Sequence, residues 1–129
     1  MVEEKRDLIE NLISDLIGNR WKLIIIEALM DGTKRFGELK KQLGDITQKV
    51  LTSNLKALEE KGLLVREVYA QVPPRVEYSL TSMGESLQPV IESLIEWAKE
   101  YKDWMVYEFA SLDKAERNLE QISKGMRPD

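Results

Sequence analysis

Leu8, Ile9, Leu12, Ile13, Leu16 and Ile17 recur at intervals of three and four, which predicts an amphipathic helix over about residues 4–17, stopped by Gly18. The next run, WKLIIIEALM, is apolar on nearly every side and predicts a buried helix that Asp31 and Gly32 end. In FGELKKQL the apolar positions Phe36, Leu39 and Leu43 return to one side, and Gly44 with Asp45 forces a turn. Thr47 stands where an N-cap is wanted, before the helical run QKVLTSNLKALEEK that Gly62 closes. The period then changes. VREVYA and RVEYSL alternate polar and apolar residues as strands do, with QVPP between them. Proline fixes φ and donates no ladder hydrogen bond, so Pro73 and Pro74 belong at a hairpin tip. From Thr81, a second plausible N-cap, the stripe Leu87, Val90, Ile91, Leu94, Ile95 and Ala98 predicts a long C-terminal helix. Pro89 lies inside that helix on this reading, where it frees the Glu85 carbonyl and kinks the axis. Asp113 with Glu116 has the spacing of a capping box for a last short helix ending at Lys124 and Gly125.

A two-stranded hairpin is marginal in water unless a helical body supports it. The element order supplies one: helix, helix, short strand or bridge, helix, tight turn, helix, strand, strand, long helix. The fold class is mainly α (α+β), a winged helix-turn-helix with a two-stranded β-wing. We read one domain, 1–129, with the helix-turn-helix at about 36–61 and the wing at about 65–80. Projected at 100° per residue, the second helix of that motif puts Leu51, Leu55 and Leu58 toward a core. Lys49, Thr52, Ser53 and Lys56 cluster on the other side, with Gln48 at the N-terminal end. Amide, hydroxyl and cationic groups are those that meet base edges and phosphates in a major groove. Glu59 and Glu60 share that side one turn on, so the helix must leave DNA there. An ordinary solvated helix face would have the same composition. The proline-stiffened tip beside Arg75 tips the balance, because a wing needs both rigidity and a cation for phosphate.

The formal charge of −4 is the wrong sign for a simple DNA binder, and its distribution matters more. Between Lys34 and Arg75 nine Lys and Arg face five acids, and the rest of the chain carries eighteen acids against ten bases. One surface therefore tolerates phosphate while the remainder repels it. The absence of cysteine and histidine excludes disulfides, thiolate nucleophiles, the usual zinc sites and imidazole bases. No glycine-rich phosphate loop, nucleophile elbow or metal-ligand spacing takes their place, so no catalytic residue, metal or cofactor is expected and an enzyme is disfavoured. The charged N-terminus MVEEKRD lacks a secretory apolar core, and no stretch is apolar enough for a membrane span, which makes a cytoplasmic location the expectation. The rival function is a winged-helix protein-interaction module without specific DNA binding, since a fold does not fix a function.

GNRWKLIIIEAL, KRFGELKKQL, ITQKVLTSNLKALEEKGLLVREVY, VPPRVEYSLT and GESLQPVIESLIEWA, in that order, resemble the HxlR-type winged-helix transcriptional regulators of bacteria and archaea over about 80 of the 129 residues. The resemblance implies a homodimer on a pseudo-palindromic operator in double-stranded DNA, with helices at about 4–17 and 82–124 making the dimer. It gives Gln48, Lys49, Thr52, Ser53 and Lys56 the recognition-helix role and Arg75 the wing role. It also leaves room for a small-molecule effector, which nothing in the sequence identifies. Many such regulators sense reactive species through a cysteine, and this chain has none. Trp97, Tyr101, Trp104, Tyr107 and Phe109 crowd one region of the C-terminal helix. Aromatics at helical spacing are more often packing than a ligand pocket, here across a dimer interface.

Overall fold

The structure, a computed structural model, describes residues 2–108 and 112–125. Phe109 and the side chain of Asp113, and with it the capping-box reading, lie outside the described residues. The elements in chain order are α1 (Val2–Ile17), α2 (Arg20–Ala28), β1 (Lys34–Arg35), α3 (Phe36–Leu43), α4 (Gln48–Glu60), β2 (Leu64–Tyr69), β3 (Arg75–Leu80), α5 (Ser82–Glu85), α6 (Gln88–Glu108) and α7 (Leu112–Gly125). They divide into two compact units, Trp21–Pro89 and the combination of Met1–Arg20 with Val90–Asp129. Among the described residues, no helix is long and apolar enough to cross a membrane.

The unit Trp21–Pro89 is built on the apolar positions that periodicity singles out. Ile25 and Ile26 of α2, Leu39 of α3, Leu51, Leu55 and Leu58 of α4, and Leu64 of β2 are each no more than 2% exposed. Local chemistry sets the helix ends. The Thr47 hydroxyl accepts the Val50 N–H at 3.2 Å, satisfying one of the donors that a helix start leaves over. At the other end Gly62 takes φ of 75°, a region that costs other residues a Cβ clash, and the Leu63 N–H returns to the Leu58 carbonyl.

The sheet has three antiparallel strands in the order β1-β3-β2, the two-stranded wing being β2 and β3. The short bridge before α3 is the two-residue strand at Lys34 and Arg35, paired with Tyr78 and Glu77. In the wing Leu64 pairs with Leu80 and Tyr69 with Arg75, which leaves Ala70 to Pro74 as the exposed tip.

Two expectations for the C-terminal helix are corrected. Thr81 does cap a helix, accepting the Gly84 N–H at 3.1 Å, but that helix is the four-residue α5. The chain leaves it at Ser86 and Leu87 and starts α6 at Gln88. Pro89 is therefore a first-turn proline. There its missing N–H is one of the donors that would be unsatisfied anyway, so no kink is needed to accommodate it.

In the unit formed by 1–20 and 90–129, Leu16, Ile91 and Met105 are buried. Leu8, Ile9, Leu12, Ile13 and Ile17 of α1 are all between 47% and 69% exposed, and Val90, Leu94 and Ile95 of α6 between 38% and 51%.

Candidate nucleic-acid interface

α4 presents two opposed faces because its apolar residues fall at i, i+4 and i+7. Leu51, Leu55 and Leu58 are buried, and Gln48, Lys49, Thr52, Ser53 and Lys56 are all exposed. The five candidate side chains thus share one open ridge whose register is fixed from behind. Glu59 and Glu60 are also exposed at the end of that helix. Periodicity alone passes over Asn54, which is buried at 4% and donates from Nδ2 to the Val50 carbonyl at 2.8 Å. It is a polar residue on the core side, satisfied within its own helix.

Arg75 is not at the extreme of the wing. It is the first residue of the central strand, with its side chain 31% exposed. Its guanidinium carbon lies 4.3 Å from the centre of the Tyr69 ring, and its Nε is 3.7 Å from the Glu77 carboxylate. The pairing of Tyr69 with Arg75 across the strands makes this stacking possible. Tyr69 is held in turn: its hydroxyl donates to the Glu67 carboxylate at 2.8 Å. That bond, followed by one to Glu77, pushes the phenol up to about 12, so it remains a donor throughout the neutral range. The tip itself carries no charge, and Val72 is fully exposed there.

Between the tip and the start of α3 lies an open groove of about 310 Å³, lined by Arg35, Phe36, Gly37, Gln71, Pro73, Pro74, Arg75 and Val76. Arg35, outside the candidate set, is exposed and lines the same groove as Arg75. The signal is the two-residue strand β1, whose register sets Arg35 opposite Glu77. α3 begins here because the Glu38 carboxylate accepts the Arg35 N–H at 2.9 Å.

Lys34, counted within the basic stretch, is occupied elsewhere. Its ammonium donates to the Ala28 carbonyl at 2.6 Å and to the Gln42 side chain, and lies 2.8 Å from Asp31 Oδ1. The hydrogen bond from Lys34 holds the Asp31 carboxyl below its ordinary range. This lysine ties the end of α2 to α3. Among the described residues there is no group of three or more carboxylates placed to hold a metal ion.

The family model for HxlR-like helix-turn-helix proteins matches residues 16–105. The HTH-type transcriptional regulator YdeP of Bacillus subtilis (strain 168) is 52% identical over 89 residues, covering 69% of this chain and 70% of that one. Among solved structures, the redox regulator HypR in its reduced form superposes with a TM-score of 0.68 at 41% identity, over 77% of this chain and 97% of that one. The HTH-type transcriptional regulator ytcD gives 0.67 at 42% identity, over 70% and 93%.

Proposed function

The chain belongs to the HxlR-like helix-turn-helix family, whose relatives are named as transcriptional regulators, and from that premise we propose that it binds a specific operator in double-stranded DNA as a homodimer. The observation that carries this is the exposed ridge of α4, backed by three buried leucines. In this reading α4 enters the major groove. Lys49, Thr52 and Ser53 meet base edges near its N-terminal half, with Gln48 at the entry and Lys56 on a phosphate. The exposed carboxylates of Glu59 and Glu60 turn the far end of α4 away from the backbone. Arg75 approaches a flanking phosphate from the base of the wing, with Tyr69 and Glu77 fixing its direction.

The test is affinity for the DNA upstream of the protein's own gene at two salt concentrations. Lys49→Ala and Thr52→Ala each weaken specific binding by about 1–3 kcal/mol while thermal stability stays at the wild-type value. Specific binding that falls by about 0.9 power of salt per neutralised phosphate supports a DNA interface, and binding indifferent to salt favours the protein-interaction module. Unchanged affinity in both variants removes α4 from the groove.

The open stripes on α1 and on the first half of α6 support the homodimer. Two copies related by a two-fold axis read half-sites about 10 base pairs, or a small multiple, apart. Sedimentation at micromolar concentration gives a dimer for the wild type. Replacing Ile9 and Ile13 together by Glu, which places two charges in each copy of the stripe, gives a folded monomer. A wild-type monomer, free and on DNA, contradicts the proposal. Although one similar structure is titled a redox regulator, a chain with no cysteine has no thiol through which to repeat that chemistry.

A further inference from the structure

Tyr101, Trp104 and Met105 stand at i, i+3 and i+4 on α6, and Asn118, Gln121 and Ile122 repeat the same spacing on α7. That spacing gathers three side chains on one face of each helix. The six together line an open groove of about 410 Å³. One wall is aromatic and rigid. Tyr101 is stacked on Trp97 at 5.2 Å and 18°, and Trp104 lies tilted to it at 5.8 Å and 35°. Met105 is buried at 2%, and Trp104 stays 54% exposed at the edge.

The opposite wall carries two carboxamides, from the half-buried Asn118 and the exposed Gln121, and neither has a hydrogen-bond partner within the protein among the described residues. An amide offers a donor and an acceptor together and carries no charge. Among the described residues that line the groove, none is charged, so an ionised ligand finds no counter-ion there. α7 also lies beyond residues 16–105, the stretch matched by the family model.

We propose that the α6–α7 groove binds a neutral, planar aromatic small molecule bearing a hydroxyl or carbonyl group, stacked on the exposed Trp104 beside Tyr101 and hydrogen-bonded by Asn118 and Gln121. Ligand and amides then complete each other: the ring covers aromatic surface, and the polar substituent engages groups left open in the free protein. This assigns Tyr101 and Trp104 to a ligand, while α1 and the first half of α6 remain for the dimer.

The full chain is titrated with 1-naphthol by calorimetry, with tryptophan fluorescence as a second signal. Saturable binding of one molecule per chain is expected. The double variant Asn118→Ala/Gln121→Ala weakens 1-naphthol about tenfold, the scale of a lost hydrogen bond, and leaves 1-methylnaphthalene, which has no hydroxyl, unaffected. Trp104→Ala weakens both compounds. Absence of saturation up to about 1 mM, or equal loss of both compounds in the double variant, overturns the proposal. So does a Trp104→Ala variant that turns a wild-type dimer into a monomer while wild type fails to take up 1-naphthol, because a second copy of the chain is then the occupant. None of these readouts involves DNA, so they stand or fall apart from the operator-binding reading.

Discussion

Leu51→Ala and Leu55→Ala each lower the unfolding free energy by about 2–5 kcal/mol, a large part of what a domain of this size has to lose. Both residues are essentially without solvent contact, at 0% and 2% exposure, and they sit on the side of α4 away from its polar ridge. Truncation removes transferred apolar surface and leaves a cavity that neighbours fill only in part. Urea unfolding followed by circular dichroism measures the effect as a lowered midpoint at unchanged m-value. The contrast with Lys49→Ala and Thr52→Ala makes this diagnostic. One helix carries two sets of residues, and substitution on one face moves stability, on the other DNA affinity. Leucine variants of wild-type stability would mean that α4 is not seated as described, and the assignment of its outer ridge would fall with it.

Signals within a few residues of one another were legible in the sequence. The stripe of α4, its Thr47 cap and its Gly62 stop all lie within the helix or one turn of it, and each is decided by local sterics or one hydrogen bond. The hairpin was legible for the same reason: alternation and a proline-rich tip. What escaped depends on register or on distant partners. The direction of the Arg75 side chain follows from its pairing with Tyr69 and from Glu77, neither of which periodicity reveals. Lys34 counts as free positive charge in any tally along the chain, and only the folded arrangement brings it to Asp31, Ala28 and Gln42. The interruption before Pro89 was missed because a continuous apolar stripe runs through it. Whether a helix kinks at a proline or ends and restarts is settled by what the preceding turn docks on, and here that turn is α5.

Gly84→Ala tests that docking and should be the most destabilising of the small substitutions, by about 3 kcal/mol or more. A Cβ at this position would lie 2.1 Å from the Leu63 carbonyl oxygen, 3.1 Å from its carbon and 3.2 Å from a methyl of Leu80. The first two are backbone atoms at the start of the wing and cannot swing aside as a side-chain tip would. That oxygen already accepts the Thr81 N–H at 3.1 Å, and the Thr81 hydroxyl donates to the Gly62 carbonyl at 2.6 Å. Any shift that relieves the clash therefore pulls on the cap of α5 and on the turn that ends α4. Gly37→Ala provides the control within the same unit. A Cβ there meets nothing within 4 Å, and alanine is the better helix former, so this variant should be neutral or more stable by about 0.5 kcal/mol. Chemical denaturation of the two variants side by side separates steric exclusion at Gly84 from the general effect of replacing glycine. Equal stabilities would show that α5 does not approach Leu63 this closely, and the restart of the chain at Gln88 would need another cause. With the predicted gap between them, the absence of a side chain at Gly84 becomes the reason that the wing and the helix after it are anchored to the end of α4.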